Sequence, residues 1–81
     1  MKFSARVNVL LKEGIADPQG LTIERALPAL GFTGVQDVRV GKLIELNVEA
    51  TTPEEARTRV EDMCEKLLAN PVIESYEVTI S

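Results

Sequence analysis

The chain has 81 residues, with 13 acidic and 9 basic side chains, a formal net charge of −4, one cysteine and no histidine. That length holds one hydrophobic core and so a single domain over residues 1–81, and a domain this small without a disulfide gains stability from oligomerisation. The composition excludes an intramolecular disulfide and the usual histidine-containing metal sites; the acidic balance, the absence of a basic stripe and only three aromatic residues (Phe3, Phe32, Tyr76) argue against nucleic acid as a partner.

Residues Lys2 to Leu11 alternate, with Phe3, Ala5, Val7, Val9 and Leu11 on one face and Lys2, Ser4, Arg6 and Asn8 on the other, the period of a half-buried strand. Asp17-Pro18 then opens a helix, because Asp caps orphan N–H groups and Pro fits the first position, where its missing N–H had no partner. Ile23, Ala26, Leu27 and Leu30 form its apolar stripe, which should lie on something flat, and Gly31 ends it. Pro28 predicts a kink or a loose last turn.

From Val35 to Ala50 the even positions Val38, Val40, Ile44, Leu46 and Val48 are apolar. A two-residue turn at Gly41-Lys42 would oppose Val38 with Glu45 and mix the faces. A hairpin with a three-residue loop Gly41-Lys42-Leu43, or one long strand bent at Gly41, each preserves the phase, and the pattern leaves both open.

Thr52-Pro53-Glu54-Glu55 is a capping box with Pro at the first helical position. The helix it opens buries Ala56, Val60, Met63, Cys64 and Leu67, carries the pairs Glu55/Arg59 and Asp62/Lys66, and ends at Asn70-Pro71. A last strand runs from Val72 to Ile80. The order β-α-β(-β)-α-β defines an α+β, two-layer sandwich of ferredoxin-like character, with two helices on one face of an antiparallel sheet.

No catalytic constellation is present: there is no imidazole base, and Ser4, Ser75 and Ser81 lack partners at triad-like spacing. Cys64 falls on the inward stripe and reads as a core residue; Glu54, Glu55, Glu61, Asp62 and Glu65 read as one solvated helix face. Gly14 and Gly20 flank a helix N-terminus near Lys12, which allows anion binding or simply the close approach of another backbone. Arg39, Gly41 and Lys42 form a basic bend, either an ordinary turn or a partner contact. The lone cysteine suits a reducing, cytoplasmic setting, and no apolar run approaches the roughly 18 residues of a membrane span.

Four collinear blocks resemble one family. They are Leu11-Lys12 leading through a short spacer to Asp17-Pro18-Gln19-Gly20; Ala26-Leu27, Leu30-Gly31-Phe32 and Val35; Val38-Arg39-Val40-Gly41-Lys42; and Leu67-Leu68-Ala69-Asn70-Pro71-Val72-Ile73-Glu74. Together they are similar to the PurS family, the small subunit of bacterial phosphoribosylformylglycinamidine (FGAM) synthase. The resemblance implies a non-catalytic subunit in purine biosynthesis, within an enzyme that converts formylglycinamide ribonucleotide (FGAR) to FGAM with glutamine and ATP. In that family a synthetase subunit, PurL, uses ATP and Mg and binds the ribonucleotide, a glutaminase subunit, PurQ, releases ammonia, and PurS bridges them. The small subunit would bind no cofactor of its own and would form a homodimer or homotetramer when alone. Lys12, Arg39, Lys42 and Asn70 are then the candidate partner or assembly contacts, being motif residues outside the core, although Asn70 also reads simply as a helix terminator. The competing reading is a free-standing ferredoxin-like module that binds a small molecule at a dimer interface.

Overall fold

The alternation at the N-terminus becomes strand β1 (Lys2–Leu11), in which Phe3, Ala5, Val7 and Val9 are buried and the even positions through Leu10 are exposed. A computed structural model describes residues 1–81. Strand β1 is the centre of a three-stranded antiparallel sheet of order β2-β1-β3, flanked by β2 (Gly41–Glu49) and β3 (Glu74–Ile80). The register sets Phe3 opposite Val48, and Val7 opposite both Ile44 and Val78, so the apolar positions of all three strands share one face.

Helix α2 (Pro53–Met63) covers that face. Thr52 accepts from the Glu55 amide at 3.1 Å, the first half of the expected capping box. The reciprocal half is replaced, because the Glu55 carboxylate accepts from the Thr51 hydroxyl at 2.5 Å, while Arg59 turns away to the Glu49 carbonyl. Ala56, Val60 and Cys64 are fully buried against the sheet and form the core together with Phe3, Ala5, Val7, Val9, Val48 and Val78.

The expected stripe fails at one position, Leu67, which is 83% exposed. Residues Cys64–Leu68 form a single π turn, closed by the Ala69 amide on the Cys64 carbonyl at 3.1 Å. One extra residue in the turn rotates everything after it by about 100°. Leu68 and Ala69 consequently take the inward places. The chain then turns through Asn70, whose carbonyl accepts from the amides of Ile73 and Glu74, so β3 begins at Glu74 and not at Val72.

Helix α1 (Pro18–Ala26) passes at Leu27–Leu30 into a 3₁₀ turn that admits Pro28, and Gly31 stops it with φ +95°. The class is the expected α+β arrangement of two helices and a three-stranded antiparallel sheet. The helices nevertheless differ in role within the single chain. Gly20 is the only buried residue of α1, and Ile23, Leu30 and Phe32 stay 43%, 70% and 58% exposed. Helix α1 is an arm at the Leu11/Gly41 end of the sheet. The molecule measures 51 × 25 × 14 Å, with a radius of gyration of 16.2 Å, against the roughly 12 Å of a compact chain of this length.

Residues Val35 to Val40 are neither the first arm of a hairpin nor an extension of β2. Asp37 takes a left-handed φ of +58°, and the amides of Val38 and Val40 donate to side-chain carboxylates instead of a neighbouring strand.

Candidate assembly surface

The end of β1 is where the arm, the basic bend and the turn after α2 meet. Asp17 caps α1 by accepting from the Gly20 amide through Oδ1 at 3.0 Å, and its other oxygen, Oδ2, accepts from the Val40 amide at 2.9 Å. Glu24, about two turns further along, accepts from the Val38 amide at 3.1 Å. Two carboxylates thus fasten residues 38–40 along α1. Gly20 lets them approach: a Cβ there would lie 2.3 Å from the Val38 carbonyl oxygen. Of the two roles open to Gly20, close backbone approach is the one the structure displays. The two amide bonds hold the Asp17 carboxyl below the usual aspartate range, and the nearby Arg39 guanidinium lowers it further.

Arg39 donates across the junction to the Leu11 carbonyl, and Lys12 Nζ donates to the Pro71 carbonyl at 2.7 Å. The Lys12 amide donates to Ile73 at 2.8 Å, one step beyond the end of the β1–β3 ladder. Asn70 caps the adjoining turn, with Oδ1 accepting from the Val72 amide at 3.1 Å and its own amide donating to Glu74 at 2.7 Å. Lys12, Arg39 and Asn70 therefore gather at one end of the sheet. Lys42 lies near by on β2, opposite Val9, and is exposed. None of these three cations forms a salt bridge; the chain's ion pairs are Met1–Glu49, Arg6–Glu45 and Lys66–Asp62. The three cations share this end with the Asp17, Glu24 and Glu74 carboxylates, each of which accepts from backbone amides.

Cys64 and Tyr76 are placed by packing between α2 and the sheet. Cys64 is buried in the core, and burial first, then Glu61 and Glu65, push its thiol up, the reverse of an activated nucleophile. Tyr76 on β3 donates to Glu65 Oε2 at 2.8 Å, and this bond with the adjoining desolvation pushes the phenol up to about 12. A raised phenol favours folding below the ordinary tyrosine value of about 10 and loses that contribution as pH climbs through the folded value. Tyr76 is the only tyrosine and there is no tryptophan, so its phenolate absorbance is unobscured. That absorbance should develop near pH 12 in the folded chain and move toward 10 in Glu65→Ala. A native midpoint already near 10 would mean that the bond is not made.

The fold and surface define a class: a small α+β domain with an uncovered apolar arm and an end where Lys12, Arg39 and Lys42 gather. A family model, PurS, phosphoribosylformylglycinamidine (FGAM) synthase, matches residues 4–81. The chain belongs to the PurS family, a subunit of FGAM synthase. The PurS subunit of Methanocaldococcus jannaschii is 45% identical over 78 residues, which cover 96% of this chain and 94% of that one. The crystal structure of M. jannaschii PurS superposes with a TM-score of 0.87 at 43% identity, covering 98% of this chain and 95% of that one. A chain of the Thermotoga maritima PurLQS structure superposes with a TM-score of 0.90 at 41% identity, covering 100% and 99%.

Proposed function

We propose that this chain bridges the synthetase subunit PurL and the glutaminase subunit PurQ of FGAM synthase, so that ammonia released from glutamine reaches the ATP-dependent site that converts FGAR to FGAM. The observation that carries this reading is the full-length match to a chain of a PurLQS structure. The chemistry of the residues agrees with it: a bridge needs surfaces, and ATP and Mg belong to the synthetase subunit. Holding two active sites together raises the effective concentration of ammonia at the second and keeps it from escaping or being protonated. The setting is the cytoplasm, and the exposed arm supports self-association as a dimer or tetramer, because exposed apolar side chains such as Ile23, Leu30 and Phe32 are stabilised by cover.

Lys12, Arg39, Lys42 and Asn70 supply contacts at the basic end. Lys12 and Arg39 also brace the junction through the Pro71 and Leu11 carbonyls, so their charges are presented from a fixed frame. The test mixes the chain with PurL and PurQ and follows FGAM formation. Leaving the chain out should lower glutamine-dependent turnover by roughly tenfold or more, the scale on which co-localisation acts, while ammonia-dependent turnover changes far less. Unchanged glutamine-dependent turnover would refute the proposal. R39E/K42E should weaken co-elution with the partners while leaving the circular dichroism spectrum native, and undiminished co-elution would remove both residues from the surface.

A further inference from the structure

Residues Asp17 to Val40 are fastened to one another and scarcely to the sheet. Within this segment, Asp17 and Glu24 accept from the Val40 and Val38 amides, Thr22 donates to the Pro18 carbonyl, and the Phe32 amide closes on the Leu27 carbonyl. A single hydrogen bond, from the Arg39 side chain to the Leu11 carbonyl, joins it to a strand. Gly20 is its only buried residue, and the groups packed on Gly20 belong to Val38 and Asp17 of the same segment.

Fixing this many residues costs conformational entropy that buried apolar surface ordinarily offsets, and here almost none is buried. Helix α1 has nine residues and its 3₁₀ extension four, no more than the roughly 12–15 at which an isolated helix becomes marginal in water. A segment with so little burial opens locally, while the sheet it leaves stays folded.

The missing cover has to come from outside the chain. Leu21, Ile23, Leu30, Phe32 and Val35 are all exposed. At roughly 100 Å² each, they present about 500 Å² per arm, so two arms in a two-fold pair contribute about 1,000 Å² toward the roughly 1,200–2,000 Å² of a stable interface. A second copy brings the same uncovered side chains and so relieves both exposures in one step.

We propose that the arm is ordered by assembly. A second copy covering its apolar side chains fixes residues 17–40, and only then is Arg39 held in the frame that meets PurL and PurQ. The lone chain keeps its sheet and α2 but carries a loosened arm, so self-association precedes partner binding. The coupling to the partners rests on the bridging role; the ordering of the arm does not.

L30E/F32E adds two carboxylates where the second copy would sit and takes the formal net charge from −4 to −6. Both side chains are exposed in the lone chain, so their replacement by itself disturbs the arm little. L67E/V72E makes the same charge change at two exposed apolar positions outside the arm and serves as the control. Sedimentation velocity should find L30E/F32E at a lower mass than wild type. The Leu21, Val38 and Val40 amides should then exchange with solvent roughly tenfold faster or more while Val7 is unchanged, and co-elution with PurL and PurQ should fall with them. The control should match wild type in mass and exchange. The ordering is overturned if L30E/F32E keeps the wild-type mass, if its arm amides stay protected once it has dissociated, or if the control shows the same losses. Undiminished co-elution of a dissociated variant with a loosened arm overturns the coupling, whereas failure of the bridging role shows as unchanged glutamine-dependent turnover when the chain is left out. Should Val7 lose protection as well, dilution of the wild-type chain through its own dissociation makes the comparison without a substitution. Arm protection that falls with the mass supports the proposal, and arm protection that persists overturns it.

Discussion

Gly20→Ala is expected to part residues 38–40 from α1 while leaving the sheet intact. Two effects compete at this position. Alanine favours a helix over glycine by about 1 kcal/mol. Against that, the new Cβ would sit 2.3 Å from the Val38 carbonyl oxygen and 2.6 Å from Asp17 Oδ2. Overpacking of this kind costs about 1–3 kcal/mol, and the obstacle here is backbone held by two amide bonds, so the clash wins. Amide hydrogen exchange reads the result directly. The Val38 and Val40 amides, protected by Glu24 and Asp17 in the parent chain, should exchange much faster, while Val7 at the centre of the sheet keeps its protection. Because Arg39 lies between those amides, co-elution with the synthetase and glutaminase subunits should weaken together with their protection. Unchanged exchange at Val38 and Val40 would show that the junction is not fastened in this way.

Val60→Ala should be strongly destabilising. Val60 is fully buried between α2 and the sheet, so the loss of two methyl groups combines a transfer term with a cavity term, about 2–3 kcal/mol in all. A chain of this size has a total stability of only about 4–12 kcal/mol. The thermal midpoint of the isolated chain should fall by about 10–20 °C. Leu67→Ala provides the contrast. A regular helix would place Leu67 seven residues along the same inward stripe, but the π turn turns it to solvent, so its truncation should stay within about 0.5 kcal/mol. Equal losses for the two variants would mean that the helix continues regularly past Cys64.

Period-two and capping signals made most of the architecture readable before any coordinates. Strand β1 spans the expected residues because its alternation is uninterrupted, and both helices start at their Asp-Pro and Thr-Pro signals because capping is decided within a few residues. Pro28 correctly marked the weakened last turn of α1. The segment before Gly41 was different. Val38 and Val40 do stay partly buried, but their amides' hydrogen-bond partners are carboxylates 14 and 23 residues away, which no local pattern reveals. The π turn left no compositional mark either, and it moved Leu67 out of the core and Leu68 and Ala69 toward it.

The surface divides along the same line. The inward placing of the single cysteine was legible from the helical stripe, and the structure buries Cys64 in the core. The four motif blocks pointed to the family for a similar reason, being contiguous runs. That Lys12, Arg39 and Asn70 share one end of the sheet was not legible, because the antiparallel β1–β3 pairing alone brings residue 12 beside residue 71. The opposed reach of Arg57 and Arg59 to two strand edges likewise follows from the seating of α2 across the sheet. The sequence by itself determined most of the elements and carried the family motifs, both properties of short stretches. Only the tertiary structure decided that α1 stands off as an arm and which charges gather at its base, because each depends on contacts between residues far apart in the chain.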